Sequence, residues 1–192
     1  MRPIFKPLRT GPSAGSGQAL RQACPELVLS PVEGRSRRAQ DRLLERLGDK
    51  LIALVLYGSV ARGEARPKSD VGLLIILRDA SPVYYERLKP ILEVQRGLKS
   101  SPEANALRQR GLVPYLSYLI LSEEEAGKNR YIFLDMIEEA RILYDREGFF
   151  ARRLRELKER LTVLGSRKVY LENGSWYWDL KPDLVLGEVF EL

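Results

Sequence analysis

The residues whose types and spacing could do chemistry lie in one segment of the 192-residue chain: Gly58-Ser59, Arg62, Arg66, Lys68 and Asp70. A small Gly-Ser pair closing a strand, followed by a short helix from about Val60, lets backbone N–H groups and the Ser59 hydroxyl meet a phosphate. Asp70 opens the neighbouring strand, where a carboxylate could hold Mg²⁺ beside that phosphate. Arg62, Arg66 and Lys68 add positive charge along the same loop. Together these parts fit a nucleoside triphosphate site. It is not a P-loop, because Glu64-Ala65 follows Gly63 where Lys and Ser/Thr would be required. The sequence holds no histidine and one cysteine. Ser-His-Asp and Cys-His triads and Cys/His zinc sites are therefore excluded, and chemistry must come from carboxylates, amines, hydroxyls or an oxygen-bound metal.

The elements that must position these residues follow from hydrophobic spacing. Leu43, Leu44, Leu47 and Leu51 recur at helical intervals, and the apolar run Leu51–Tyr57 then reads as a strand buried on both faces. Val71–Leu77 is a second such run, and Leu112 to Leu121 a third expected strand. Ser81-Pro82 predicts a helix start, with Ser as N-cap, running to about Lys99 and kinked or split at Pro90. Ser122 with Glu125 predicts a capping box for a short helix. Phe150, Leu154, Leu157, Leu161 and Leu164 mark an amphipathic helix that Gly165 ends. The apolar runs are far shorter than the roughly 18 residues a membrane-spanning helix needs, so no membrane partner is expected.

The phrase from Gly58 to Leu77 resembles the minimal nucleotidyltransferase family of the DNA polymerase beta superfamily. Its signature is Gly-Ser, a spacer, then Asp-x-Asp, and here Gly58-Ser59, Ala61 to Arg66 and Ser69-Asp70-Val71 fall in register. The ILYD at Ile142–Asp145 and the WYWDLKP at Trp176–Pro182 are similar to the ends of small prokaryotic members. The resemblance implies an α/β (α+β) nucleotidyltransferase fold, a mixed sheet with packed helices, over residues 39–192. It implies nucleotide binding at Gly58, Ser59, Arg62 and Lys68, with Asp70 as metal ligand and catalytic carboxylate. It further implies an NTP as substrate or ligand, Mg²⁺ as cofactor, transfer of a nucleoside monophosphate to a hydroxyl acceptor, and a helical HEPN-type protein as partner.

One departure falls where it matters most: the second aspartate of Asp-x-Asp is Gly72. Residues two apart on a strand face the same way, so Asp70 and position 72 should both present carboxylates. The third carboxylate should come from a later strand, and Leu112 to Leu121 offers Tyr115, Ser117 and Tyr118 but no acid. Two Mg²⁺ ions roughly 3.5–4 Å apart are hard to hold with one aspartate. Impaired transfer is therefore expected, with a weakly held or single ion; a non-catalytic nucleotide- or partner-binding protein, antitoxin-like, is the alternative. Glu123, Glu124 and Glu125 read as first-turn carboxylates favoured by the helix dipole and not as replacements for the missing acid. Trp176, Tyr177 and Trp178 read as packing that pins the tail, ahead of base stacking.

The net charge of +6 is unevenly placed. Most of it belongs to the Pro-, Gly- and Ser-rich residues 1–38, which read as a disordered basic arm and are similar to translated interspersed repeats. The remainder is nearly neutral. Nucleic acid is not expected as a partner through the arm, because its arginines are scattered and not interleaved with aromatics. Lacking an apolar signal core and carrying one cysteine, the chain is expected in the cytoplasm.

Overall fold

The computed structural model describes residues 38–64, 69–109 and 115–192. Residues 1–37 of the expected arm, Arg66 and Lys68 lie outside the described residues, while Arg38, placed at the arm's end, instead begins a helix. Helix α1, residues 38–47, buries Ala39 and Leu43 and packs Leu44 and Leu47 beside them. A 3-10 turn, Gly48–Lys50, then feeds β1, Leu51–Tyr57. β2 is Val71–Leu77, so Asp70 stands just before the strand and not as its first residue. β3 is Leu116–Ser122 and β4 is Arg141–Asp145.

These strands form one sheet in the order β3-β2-β1-β4, with β2 and β3 parallel and the other two pairings antiparallel. β1 and β2 are central and buried almost throughout, as their unbroken apolar runs require. On one face Leu54, Leu56, Leu73 and Ile75 meet α1 and α2, Tyr84–Leu98, through Leu43, Ile91 and Leu98. On the other face Val55, Leu74 and Ile76 meet α4, Glu123–Gly127, α5, Tyr131–Glu139, and α6, Phe149–Val163. There Phe133 and Phe150 pack edge to face with ring centroids 5.3 Å apart. A short α3, Pro102–Gln109, precedes β3. The chain closes with a separate antiparallel hairpin, β5, Arg167–Tyr170, and β6, Trp176–Asp179.

Several local expectations need correcting. α2 begins at Tyr84, because Ser81 caps Val83 N–H and not a helical residue, leaving Pro82 and Val83 in the approach. Pro90 neither splits α2 nor ends it; the helix runs through as one element of 15 residues. The helix expected from Val60 is a hydrogen-bonded turn, Arg62 N–H to Gly58 O, Gly63 N–H to Val60 O and Glu64 N–H to Ser59 O. The capping box of Ser122 and Glu125 is present in both directions. Gly165 follows α6 with φ +66°, the left-handed backbone that favours glycine after a helix. No helix among the described residues is long and apolar enough to cross a membrane.

Candidate functional site

β1 delivers the chain to Gly58, whose φ of +80° turns the backbone sharply out of the strand. The following turn is pinned at its far side by Val60, which is buried in the core. Its three backbone bonds use N–H groups from Arg62 onward. The N–H groups of Ser59, Val60 and Ala61 precede them, as at the start of any helical turn. Ser59 is half-buried at this opening. Across the β1–β2 pairing Tyr57 stands opposite Gly72, and the exposed Asp70 lies just beyond on the same strand side as Gly72. The fold therefore brings Gly58, Ser59 and Asp70 to one end of the sheet.

The side chain that occupies this end is Tyr57, which sequence reasoning missed. A Cβ built on Gly72 would lie 3.0 Å from Tyr57 O and 3.1 Å from Cε2 and Cζ of its ring. The ring thus covers the space above Gly72. Burial raises the Tyr57 pKa above its ordinary value, the charge of Asp70 adds to the rise, and a hydrogen bond with Ser117 opposes it. Ser117 pairs with Gly72 from the β3 side. β3 therefore offers a hydroxyl beside Gly72, engaged with Tyr57, and no carboxylate along its length. A clue was present in the sequence, since Tyr57 ends β1 on the face that Val55 shares; only the register sets it against Gly72.

Among the described residues the donor set does not fit a two-ion centre. Among the described residues no three carboxylates, cysteines or histidines stand close enough to hold a metal. Residues 65–68 and 110–114 contain no acid in their sequence. Glu123, Glu124 and Glu125 cannot substitute. Parallel β2 and β3 put Asp70 at one end of the sheet and Ser122 beside Leu77 at the other, about 20 Å apart at ~3.3 Å per residue. Those glutamates instead pair with Arg78, Lys128 and Arg87. A groove of about 710 Å³ between α1 and α2 is lined by Arg42, Arg46 and Glu93 and by none of the site residues.

Arg62 is engaged by two glutamates. It pairs with Glu64 at 2.9 Å and with Glu139, at the end of α5, at 2.8 Å. Burial works against its charge, and the two glutamates outweigh burial and raise its pKa. Glu139 also accepts from Lys168 of β5 at 2.9 Å, and both cations lie over the Trp176 ring. Trp176 and Trp178 donate their indole N–H groups to the same oxygen of Asp135. Trp176 and Trp178 therefore pack the hairpin against α5, in agreement with the packing expectation, whereas Tyr177 is exposed.

The match to known proteins falls on this same end of the sheet. The family model described as nucleotidyltransferase domain matches residues 37–110, which contain β1, the Gly58-Ser59 turn, Asp70 and β2. This segment belongs to the nucleotidyltransferase domain family. The chain is 30% identical over 179 residues to a bifunctional uridylyltransferase/uridylyl-removing enzyme of Pseudomonas putida, covering 80% of this chain and 20% of that protein. It is 26% identical over 123 residues to a Methanocaldococcus jannaschii protein assigned as a protein adenylyltransferase, covering 59% of this chain and 72% of that one. The chain thus spans about a fifth of the first relative's length. A solved chain from a toxin–antitoxin structure with AMP-PNP is 14% identical, with a TM-score of 0.41 over 68% of this chain and 95% of that chain. That likeness is too distant to assign a partner.

Proposed function

We propose that this protein binds a nucleoside triphosphate at the Gly58-Ser59 turn, with Asp70 near it, and that its transfer of a nucleoside monophosphate to a hydroxyl acceptor is severely impaired. The binding half rests on the nucleotidyltransferase family match over residues 37–110 together with the turn geometry. Relatives named for uridylyl and adenylyl transfer support a nucleoside triphosphate as the ligand class. The impairment is carried by a single observation: position 72, which should aim a second carboxylate beside Asp70, is a glycine covered by the Tyr57 ring. No chemical step is assigned through paired metal ions, because Asp70 alone cannot hold two of them. What remains for this chain's own residues is to hold the triphosphate on backbone N–H groups and the Ser59 hydroxyl.

The test compares the wild-type protein with Ser59→Ala and Gly72→Asp. Binding of ATP, CTP, GTP and UTP with Mg²⁺ is measured by calorimetry, and transfer by incorporation of label from each NTP into the protein and into cell-extract acceptors. Wild-type protein should bind at least one NTP, Ser59→Ala should bind it more weakly, and label transfer should be at least about a hundredfold slower than in Gly72→Asp, the scale of losing a major charge-stabilising group. Label transfer by wild type well above the protein-free background and as fast as by the variant would overturn the impairment. Failure to bind any NTP would overturn the nucleotide site.

A further inference from the structure

The Glu139 carboxylate sits between two cations from distant parts of the chain. One oxygen accepts from Arg62 at 2.8 Å and the other from Lys168 at 2.9 Å. Arg62 belongs to the Gly58–Gly63 turn, Glu139 ends α5, and Lys168 lies on β5. All three side chains are largely buried, Lys168 at 9%, Glu139 at 16% and Arg62 at 24% exposure. Both cations also rest on the Trp176 ring of β6, Arg62 Cζ at 5.5 Å and Lys168 Nζ at 4.5 Å from its centroid. A two-stranded hairpin is marginal alone, and β5–β6 hydrogen-bonds to no other strand. Its attachment beside the turn therefore rests on side chains: these, the indole bonds to Asp135 and the packing of Trp178 against the core.

From this we infer that Arg62 is a positioning residue and not a phosphate ligand: with Glu139, Lys168 and Trp176 it clasps the Gly58-Ser59 turn to the β5–β6 hairpin. The inference rests on the proposed triphosphate site and deepens it, because it makes nucleotide affinity depend on Glu139, Lys168 and Trp176, far downstream of the turn. Two charge-assisted hydrogen bonds already occupy the Arg62 guanidinium. Swinging it to a phosphate would leave Glu139 buried with half its partners, a costly state for a carboxylate. The same residue closes the turn through its own N–H to Gly58 O at 3.2 Å. A shift of the Arg62 side chain is thereby passed to the backbone at Gly58.

The two roles predict opposite results for a change at Glu139. If Arg62 were a phosphate ligand, Glu139→Gln would free it and hold or improve NTP affinity. As a clasp, Glu139→Gln, Arg62→Gln and Lys168→Met should each weaken the affinity of the full chain about tenfold. The double variant Arg62→Gln/Glu139→Gln should be no weaker than either single one, the non-additivity expected of directly coupled residues. Arg62→Lys, which keeps a cation for Glu139, should recover most of the loss. Affinity unchanged or improved in Glu139→Gln, or additive losses, would overturn the clasp. Amide hydrogen exchange of residues 167–179 is read on the same proteins without nucleotide. Arg62→Gln should deprotect the hairpin about as much as Lys168→Met, and wild-type protection in Arg62→Gln would overturn the clasp. If the wild type binds no NTP, the exchange result alone decides the clasp, while the triphosphate reading fails separately.

Discussion

The Tyr57 ring lies over Gly72, with Cε2 and Cζ each 3.1 Å from where a Cβ on residue 72 would stand. The two residues are direct partners across β1 and β2. A ring laid over a strand glycine covers backbone that would otherwise lack a packing partner. It also means that a carboxylate cannot be returned to position 72 without moving the ring.

Gly72→Asp should therefore destabilise the fold by about 1–3 kcal/mol, the usual cost of forcing extra atoms into a packed site. Tyr57→Ala in the same chain should remove the part of that increment owed to the ring, while the 3.0 Å approach to the Tyr57 carbonyl stays, so the two effects are not additive. Urea unfolding of the wild type, both single variants and the double variant measures this coupling. An equal cost of Gly72→Asp with and without the ring would show that Tyr57 does not guard the position.

Asp145, the last residue of β4, accepts from Phe150 N–H and Ala151 N–H at 2.9 Å each, so one carboxylate satisfies two free donors at the start of α6. Its place in the ILYD phrase is thus explained by helix capping. Asp145→Ala should cost about 0.5–2 kcal/mol. Thermal unfolding of the two proteins at neutral pH checks it, and an unchanged melting temperature would show that the cap contributes nothing.

Glu125 is held below the ordinary carboxylate range by its hydrogen bond with Arg87 and next by the Ser122 backbone N–H. A depressed folded-state pKa contributes stability that is present above the unfolded value, about 4.3, and lost as pH falls through the folded value. Glu125→Gln removes that contribution. The stability difference between wild type and variant should be constant from about pH 7 to pH 5 and shrink below about pH 4. Denaturant melts across that range measure it, and a difference that grew on acidification would reverse the assignment.

Much of the frame was legible from residues alone. The continuous apolar runs at Leu51–Tyr57 and Val71–Leu77 read as central strands and coincide with β1 and β2, although Asp70, expected to open the second, stands just before it. The capping box at Ser122 and the leucine stripe of α6 were equally plain, because both are local patterns between residues a few positions apart. The approach to α2 was misread, since Ser81-Pro82 carries the same composition whether it caps the helix or only the turn before it.

The Gly58-Ser59 turn, Asp70 and the missing acid at Gly72 were determined by the sequence, because residue type and short spacing suffice to define them. The tertiary structure decided what surrounds them. Tyr57 meets Gly72 only through the antiparallel register of β1 and β2. Arg62, Glu139, Lys168 and Trp176 converge only because α5 ends beside the turn and the closing hairpin folds back onto it. Hydrophobic periodicity reports which face of an element is buried, and it carries no information about which distant side chain will be buried against it.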